Sequence, residues 1–419
     1  MKKLSLILTV FIVGCSTNQI GLTSVKDIFD APKINSTSSE ITVEDFKSHI
    51  SYLASDSLGG RAAGTRGDKK AKDYIVRHFK YAGNAERSVE VQEHFVPKSR
   101  LNPKKTVKTY NIIATLPGND EKLKNEYVVI GGHYDTTANK MGLINNGADD
   151  NASGTSMVME LFEKFASSNN HKRTLVFMAF GGEELGLLGS RHYVNNPTIN
   201  LENVQLMVNL DMVGRMDEEN NVELGGSPSA KDFSSKLNPF LASSPLNIKE
   251  LGKGIFSRSD HYNFYRKNIP VLFFFTGIHK DYHTPTDDEF KINYNGMMEI
   301  SKVVENIIDE FANVDERLIF ENMDGDQQEM QTPARMKVTL GVMPDYSYSG
   351  KGLRIEAVIE NRTAAKAGMK DGDVVFQIGE TKVKDIYKYM EILSKIEPGS
   401  TVPVIILRDN EEETLDVTF

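Results

Sequence analysis

Four apolar runs constrain this chain more than any other feature: Tyr127-Val128-Val129-Ile130, Leu175 to Phe180, Leu206 to Leu210 and Val271 to Phe275. A strand with one wet face alternates polar and apolar residues, whereas a near-continuous apolar run marks a strand covered on both sides. Between the first two runs, Met157, Val158, Leu161, Phe162 and Phe165 are spaced to fill one face of a helix. Buried strands alternating with helices predict an α/β sandwich whose central sheet is covered on both faces.

Each run also leads to a group able to ligate a metal. The first passes through Gly131-Gly132 to His133, and the second through Gly181-Gly182 to Glu183-Glu184. The third, within VNLDMVG, ends at Asp211, and the fourth leads through TGIHKDYHTPTDD to His283. In open α/β sheets the ligand crevice lies outside the carboxyl ends of the strands, so four strands deliver His, Glu, Asp and His to one rim. A fifth group, Asp149-Asp150 in NNGADDNASG, immediately precedes the helical pattern. Singly, each has an ordinary explanation: an aspartate capping a helix, a carboxylate pair favoured by a helix dipole, a satisfied histidine at a strand end. Together they match the imidazole and carboxylate chemistry that binds zinc.

At 419 residues the chain exceeds one comfortable core, and two domains are expected. A formal net charge of −9, with no basic run, argues against nucleic acid as a partner, because a phosphate backbone rewards clustered Lys and Arg. The N-terminus, MKKLSLILTVFIVGCSTN, sets Lys2 and Lys3 before an apolar run, Leu4 to Val13, that is too short to span a bilayer. It reads as a secretory signal over residues 1–14. Ile12-Val13-Gly14-Cys15 resembles the bacterial lipobox, which implies cleavage before Cys15 and lipid on Cys15. Such a chain is anchored by that lipid in the bacterial cell envelope. Ser16 does not resemble the acidic inner-membrane retention signal, which directs the expectation to the outer membrane, facing the periplasm. Cys15 is the single cysteine, so neither a disulfide framework nor a cysteine metal site is expected. Residues 15–40 are polar and unpatterned, as a tether would be.

Toward the end the chain changes character. Residues 314–333 are acidic with little pattern and read as a linker; residues 334–419 read as short strands and Gly-punctuated turns. AVIENRTAAKAGMKDGDVVFQIGETKV and PGSTVPVIILRD resemble a bacterial PDZ domain, with Asp385 to Ser394 as the helix that flanks its groove. That helix and a strand over Val338 to Val342 would take a C-terminal peptide by β-augmentation. A plain stabilising appendage is the alternative.

The series GGHYDT, GADDNASG, GGEELGLLGS, NLDMVG, RSDH and YHTPTDD, preceded by LASDSLGGRAAGTRG, resembles the double-zinc aminopeptidases of metallopeptidase family 28. The resemblance runs from about Ile41 to Phe311 and places the catalytic domain at 41–313. It implies an α/β/α sandwich with a mixed, mainly parallel central sheet, two zinc ions per chain, and peptide substrates with a free N-terminus. It further implies that Asp150 bridges the two ions, that His133 and Asp211 complete one, and that Glu184 and His283 complete the other. Three carboxylates would then offset most of the charge of the two ions. Asp135 is implied as the acceptor that fixes the His133 tautomer, and Asp150-Asn151 as a cis peptide. Glu183 stays off the metal as general base and then acid, beside water whose pKa zinc lowers towards about 7. Arg258, Asp260 and Tyr282 resemble one secreted branch, in which the tyrosine polarises the scissile carbonyl and the arginine helps to shape the substrate site. Ordinary loop packing is the alternative for these three.

Two other functions use the same scaffold. Glutaminyl cyclases usually carry tryptophans at the site, including one before the last zinc histidine, but this chain has no Trp and Tyr282 stands there. A non-catalytic, peptide-binding lipoprotein would be expected to lose ligands or the base, yet His133, Asp150, Glu183, Glu184, Asp211 and His283 are all present. The stretch between Val89 and Tyr110 is too short for the protease-associated insertion that relatives often carry.

Overall fold

A computed structural model describes residues 40–99, 102–139, 142–251, 259–323, 337–344, 350–358, 362–384, 386–408 and 411–419. The predicted signal, Cys15, nearly all of the tether and Arg258 lie outside the described residues.

All four apolar runs are strands of one eight-stranded sheet. Its strands are β1 (Ser88–Ser99), β2 (Asn102–Leu116), β3 (Tyr127–His133), β4 (Thr174–Phe180), β5 (Val204–Leu210), β6 (Asn221–Gly225), β7 (Asn247–Glu250) and β8 (Val271–Phe275). They lie in the order β1-β2-β4-β3-β5-β8-β6-β7. The central four, β4, β3, β5 and β8, run parallel to one another. β2 joins them antiparallel on one side and β6 on the other, which makes the sheet mixed around a parallel centre.

Every residue of β4, β5 and β8 is buried. The pleat divides their side chains between two layers. Leu175, Phe177 and Ala179 of β4 pack with Leu206, Val208 and Leu210 of β5 in the larger core. There they meet α1 (Val43–Leu53), α2 (Arg66–Tyr81) and α3 (Gly154–Ser168). Val176, Met178 and Phe180 point the other way, into a smaller core with Tyr193 of α4 (Leu188–Asn195). The helices α5 (Phe233–Ala242) and α7 (Tyr294–Asn313) join the larger core, and α6 (His261–Tyr265) the smaller. The α/β/α sandwich predicted from the apolar runs is therefore present.

The sandwich does not stop at Asn313, although the sequence predicts a linker over 314–333, of which 324–333 lie outside the described residues. The Lys231 N–H donates to Ile319 O at 2.8 Å, the Glu321 N–H to Ser229 O at 2.9 Å, and Ala230 forms an antiparallel bridge with Phe320. Met323 is buried against the smaller core, and its N–H donates to the Tyr265 hydroxyl at 2.8 Å. Most of these bonds use main-chain groups, which leave no side-chain periodicity to read.

The described residues between 337 and 419 build a second core. Its elements are β9 (Val342–Pro344), β10 (Leu353–Val358), α8 (Thr363–Lys366), β11 (Val374–Ile378), β12 (Thr381–Lys382), α9 (Ile386–Lys395), β13 (Thr401–Arg408) and β14 (Glu411–Thr418). The strands are antiparallel in the order β14-β13-β11-β10-β9, with β12 on β11. Leu340, Ile355, Val375, Leu393, Val404 and Ile406 fill the space between sheet and helices. The first strand begins at Val342, not Val338; ahead of it, Leu340 is tied down by the Ala364 N–H at 2.7 Å.

Candidate metal centre

Close backbone approach brings the ligand-bearing loops together. A Cβ on Gly132 would lie 2.6 Å from the Leu210 carbonyl oxygen, and one on Gly154 would lie 2.2 Å from it. Glycine at both positions therefore lets the end of β3 and the start of α3 close on the end of β5. Asn151 laces the same junction. Its Nδ2 donates to Leu210 O at 2.9 Å, while its Oδ1 accepts from the Gly154 and Met212 N–H groups at 2.9 and 3.2 Å. The Asp150-Asn151 peptide is cis.

Two residues with side chains take left-handed backbone conformations beside the ligands: Met212 at φ 54° and His283 at φ 55°. That region costs an ordinary L-residue roughly 1–2 kcal/mol. At Met212 the conformation is held by Thr276, whose N–H and hydroxyl both donate to Met212 O, at 2.9 and 2.7 Å.

The result is a compact donor set. His133 Nε2 lies 3.3 Å from Asp150 Oδ1 and 3.3 Å from Asp211 Oδ1; His283 Nε2 lies 3.1 Å from Asp150 Oδ2 and 3.1 Å from Glu184 Oε2. Two three-residue groups emerge, His133/Asp150/Asp211 and Asp150/Glu184/His283, sharing Asp150. Ligand atoms about 2.0–2.1 Å from a tetrahedral zinc ion lie about 3.3 Å from each other. The spacing and the nitrogen-and-oxygen donor chemistry therefore fit two such ions. Glu183 belongs to neither group: its Oε2 stands 3.9 Å from His133 Nε2.

Electrostatics agree with that fit. Burial alone would lower the pKa of both imidazoles, but the carboxylates outweigh it. His133 is held well above its usual range by Asp211 and Glu183 together with contacts to Asp150, and His283 is pushed up to about 10 by Glu184 and Asp150. Asp150, despite burial, is held far below the carboxylate range by His133 and His283. Glu183 and Glu184 are raised, first by burial. These are the shifts of buried anions crowded around a place suited to positive charge.

Asp135 does not act as the sequence predicts. The His133 Nδ1 is 3.1 Å from the Asp135 main-chain oxygen, whereas the Asp135 carboxylate is 3.8 Å away. The tautomer is thus fixed by the carbonyl, which can only accept. Asp135 Oδ1 instead accepts the Glu183 N–H at 3.1 Å, so the carboxylate positions the neighbouring acid.

Tyr282 stacks on His283, with ring centroids 3.7 Å apart, and burial together with the nearby acids keeps its phenol well above its usual pKa. Asp260 is fully buried near this group, and its neighbour Ser259 donates to Asp211 Oδ2 at 2.6 Å while accepting from Asn209 at 2.7 Å.

Several supports escape a reading of the sequence. Arg61, fully buried, donates to Tyr134 O, Leu53 O, Asn146 O and Gly147 O at 2.6–2.9 Å, and so joins the loops after His133 and before Asp150. Asp287 accepts the N–H groups of Asp149 and Asp150 at 3.0 Å each. Asp149 stays out of both ligand groups; its carboxylate accepts the Gly214 N–H at 2.7 Å and meets His279 Nε2 at 3.0 Å. Arg61 and Asp287 sit inside LGGRAAGTRG and HTPTDD, but nothing in their spacing reveals that they serve main-chain atoms.

Sheet order and a rim of imidazole and carboxylate ligands define a chain with the zinc-exopeptidase architecture, followed by a small β-rich domain. Residues 111–308 match the model of Peptidase family M28, and residues 327–419 match that of the PDZ domain. Over those residues the first body is similar to peptidase family M28, and the C-terminal body is similar to PDZ domains. Among curated proteins, a probable leucine aminopeptidase of Arthroderma otae is 31% identical over 223 residues, 49% of this chain and 58% of the relative. Leupeptin-inactivating enzyme 1 of Streptomyces exfoliatus is 29% identical over 253 residues, 58% of this chain and 51% of the relative. The chain thus spans little more than half the length of these relatives. A solved zinc aminopeptidase from Bacillus subtilis superposes with a TM-score of 0.55 at 19% identity, over 68% of this chain and 99% of its own. An aminopeptidase from Aneurinibacillus sp. strain AM-1 gives 0.53 at 19% identity, over 68% and 97%. At such identities the likeness is one of fold.

Proposed function

We propose that the protein is a two-zinc aminopeptidase that removes N-terminal residues from peptides. The observation that carries this reading is the pair of donor groups sharing Asp150, with Glu183 beside them and outside both. In it, Asp150 would be shared by two ions, with His133 and Asp211 as the residues that would hold one and Glu184 and His283 the other. Zinc bound there would supply Lewis acidity toward a scissile carbonyl and a lowered pKa for water. Glu183 takes the proton from the attacking water and passes it to the leaving amine. Its raised proton affinity, caused first by burial, suits a base that must keep the proton between those two events. Tyr282, kept protonated, donates to the carbonyl oxygen as negative charge develops there. Arg258, outside the described residues, helps to shape the substrate site.

Names borne by the relatives support an aminopeptidase over other exopeptidases. The test is mass spectrometry of a panel of peptides with free or acetylated N-termini after digestion by the zinc-loaded protein. Stepwise shortening from free N-termini alone is expected; trimming from the C-terminus, or of acetylated peptides, would overturn the assignment.

The PDZ body is proposed to take the C-terminal tail of a peptide along β9 and α9. Lipid on Cys15 is proposed to hold the chain at the envelope, facing the periplasm. In cells fed a fatty-acid analogue, label is expected on the wild type and absent from Cys15→Ala; an unlabelled wild type would remove the anchor. Among the described residues no helix is long and apolar enough to cross a membrane.

A further inference from the structure

A second group of buried ionisable side chains lies between the N-terminal helices, and the proposed peptide hydrolysis does not use it. His49 on α1, His78 on α2 and Glu160 on α3 are 6%, 1% and 5% exposed. Each offers one ligand atom, and the three atoms lie within 4.8 Å of one another.

The hydrogen bonds around these side chains leave lone pairs in hand. His78 Nε2 is 3.0 Å from Met159 O, and a carbonyl only accepts, so Nε2 carries the proton. Nδ1 is then the nitrogen left to ligate; it is buried, and no hydrogen-bond partner for it exists among the described residues. A histidine with one nitrogen tied to a carbonyl and a lone pair on the other is arranged as metal-binding histidines are. His49 differs, in that both of its nitrogens have partners. Its Nδ1 lies 2.6 Å from the Tyr74 hydroxyl and its Nε2 2.6 Å from Glu160 Oε1. With Nδ1–H donating to the phenol, Nε2 and the carboxylate are two acceptors face to face, and only a cation or a proton between them relieves that contact. The opposite tautomer lets Nε2–H donate to Glu160, but it does nothing for His78 Nδ1.

The geometry points to a third metal site, His49/His78/Glu160, that takes a zinc-class divalent ion and clamps α1 and α2 to α3. Two imidazoles and a carboxylate are zinc donors, and the second Glu160 oxygen can complete four-coordination. Ligands from three helices make the role structural, since metal binding that needs all three segments in place adds to folding stability.

The full-length protein, loaded with zinc, desalted and analysed by mass spectrometry of the metal, should carry three equivalents. His78→Ala should carry two, and Asp150→Ala one. Zinc-edge anomalous diffraction from wild-type crystals should place a peak among His49, His78 and Glu160, a readout that does not depend on a variant folding. Two equivalents in the wild type and the same number in His78→Ala, or an anomalous map without that peak, would overturn the site and leave a core pair sharing a proton. Failure of the peptidase reading looks different. There, Asp150→Ala keeps the wild-type zinc content, whatever the cluster between the helices holds.

Discussion

Glu183→Gln is expected to bind as much zinc as the wild type and to lose at least about two orders of magnitude in kcat, the usual scale for a general base. Glutamine keeps the size of the side chain, and Glu183 lies outside both ligand groups, so neither ion loses a donor. The backbone anchor also survives, because the hydrogen bond to Asp135 comes from the Glu183 main-chain N–H. What disappears is the ability to accept a proton. Metal analysis and steady-state kinetics on an aminoacyl amide, run on the same preparation, separate the two effects. Near-normal turnover in a fully metallated variant would remove Glu183 from the base role; loss of metal would make it a ligand.

The second large effect is expected away from the reacting groups. Arg61→Met should destabilise the catalytic body by about 3–5 kcal/mol, the range seen when one partner of a buried charged contact is removed. The guanidinium is fully buried, with its pKa lowered by burial to about 10 even though Asp150, Asp287, Asp135 and Glu184 all favour its charge. Methionine fills much of the volume but leaves four buried carbonyls without their donor and those acids without their cation. For a body of this size the loss corresponds to roughly 6–20 °C in Tm. Zinc affinity should fall as well, because the loop before Asp150 is one of the two that Arg61 ties. Arg61→Lys should rescue little, since an ammonium cannot reproduce the planar fork that reaches four oxygens. Thermal unfolding within about 2 °C of wild type, with unchanged metal content, would show that the loops hold themselves.

The contrast between these residues explains what a reader of the sequence can find. Strands β3, β4, β5 and β8 announce themselves because burial on both faces demands uninterrupted apolar side chains. The ligands follow from them, since a strand end is a fixed place and His133 and Asp211 sit at or just past one. Asp150 is legible through its neighbours, as the acid just before a helix, and Glu183 and Glu184 through the two glycines that precede them. Arg61, Asp287 and Asn151 are not legible in this way. Most of their partners are main-chain atoms tens to more than a hundred positions away, so no periodicity or composition marks them. Asp135 misleads for the same reason: side-chain chemistry suggests its carboxylate, while the bond to His133 comes from its carbonyl. Residues 319–321 fall in the predicted linker but join the body by backbone bonds, which composition does not mark.

The Asp287 contact reaches into the way the molecule is made. Asp150 and the acid that steadies its backbone are 137 positions apart, and a ribosome adding about 5–20 residues per second needs roughly 7–27 s to cover that interval. His133, Asp150, Glu184 and Asp211 have all been synthesised while the segment holding His283 and Asp287 does not yet exist. The two halves of the cradle therefore mature at different times: the donors of one half are complete in the nascent chain, and the other half waits for its histidine. A chain that ended before that segment would hold Asp150 without the acceptor for its main-chain N–H, so the proposed centre is complete only once residue 287 has been added.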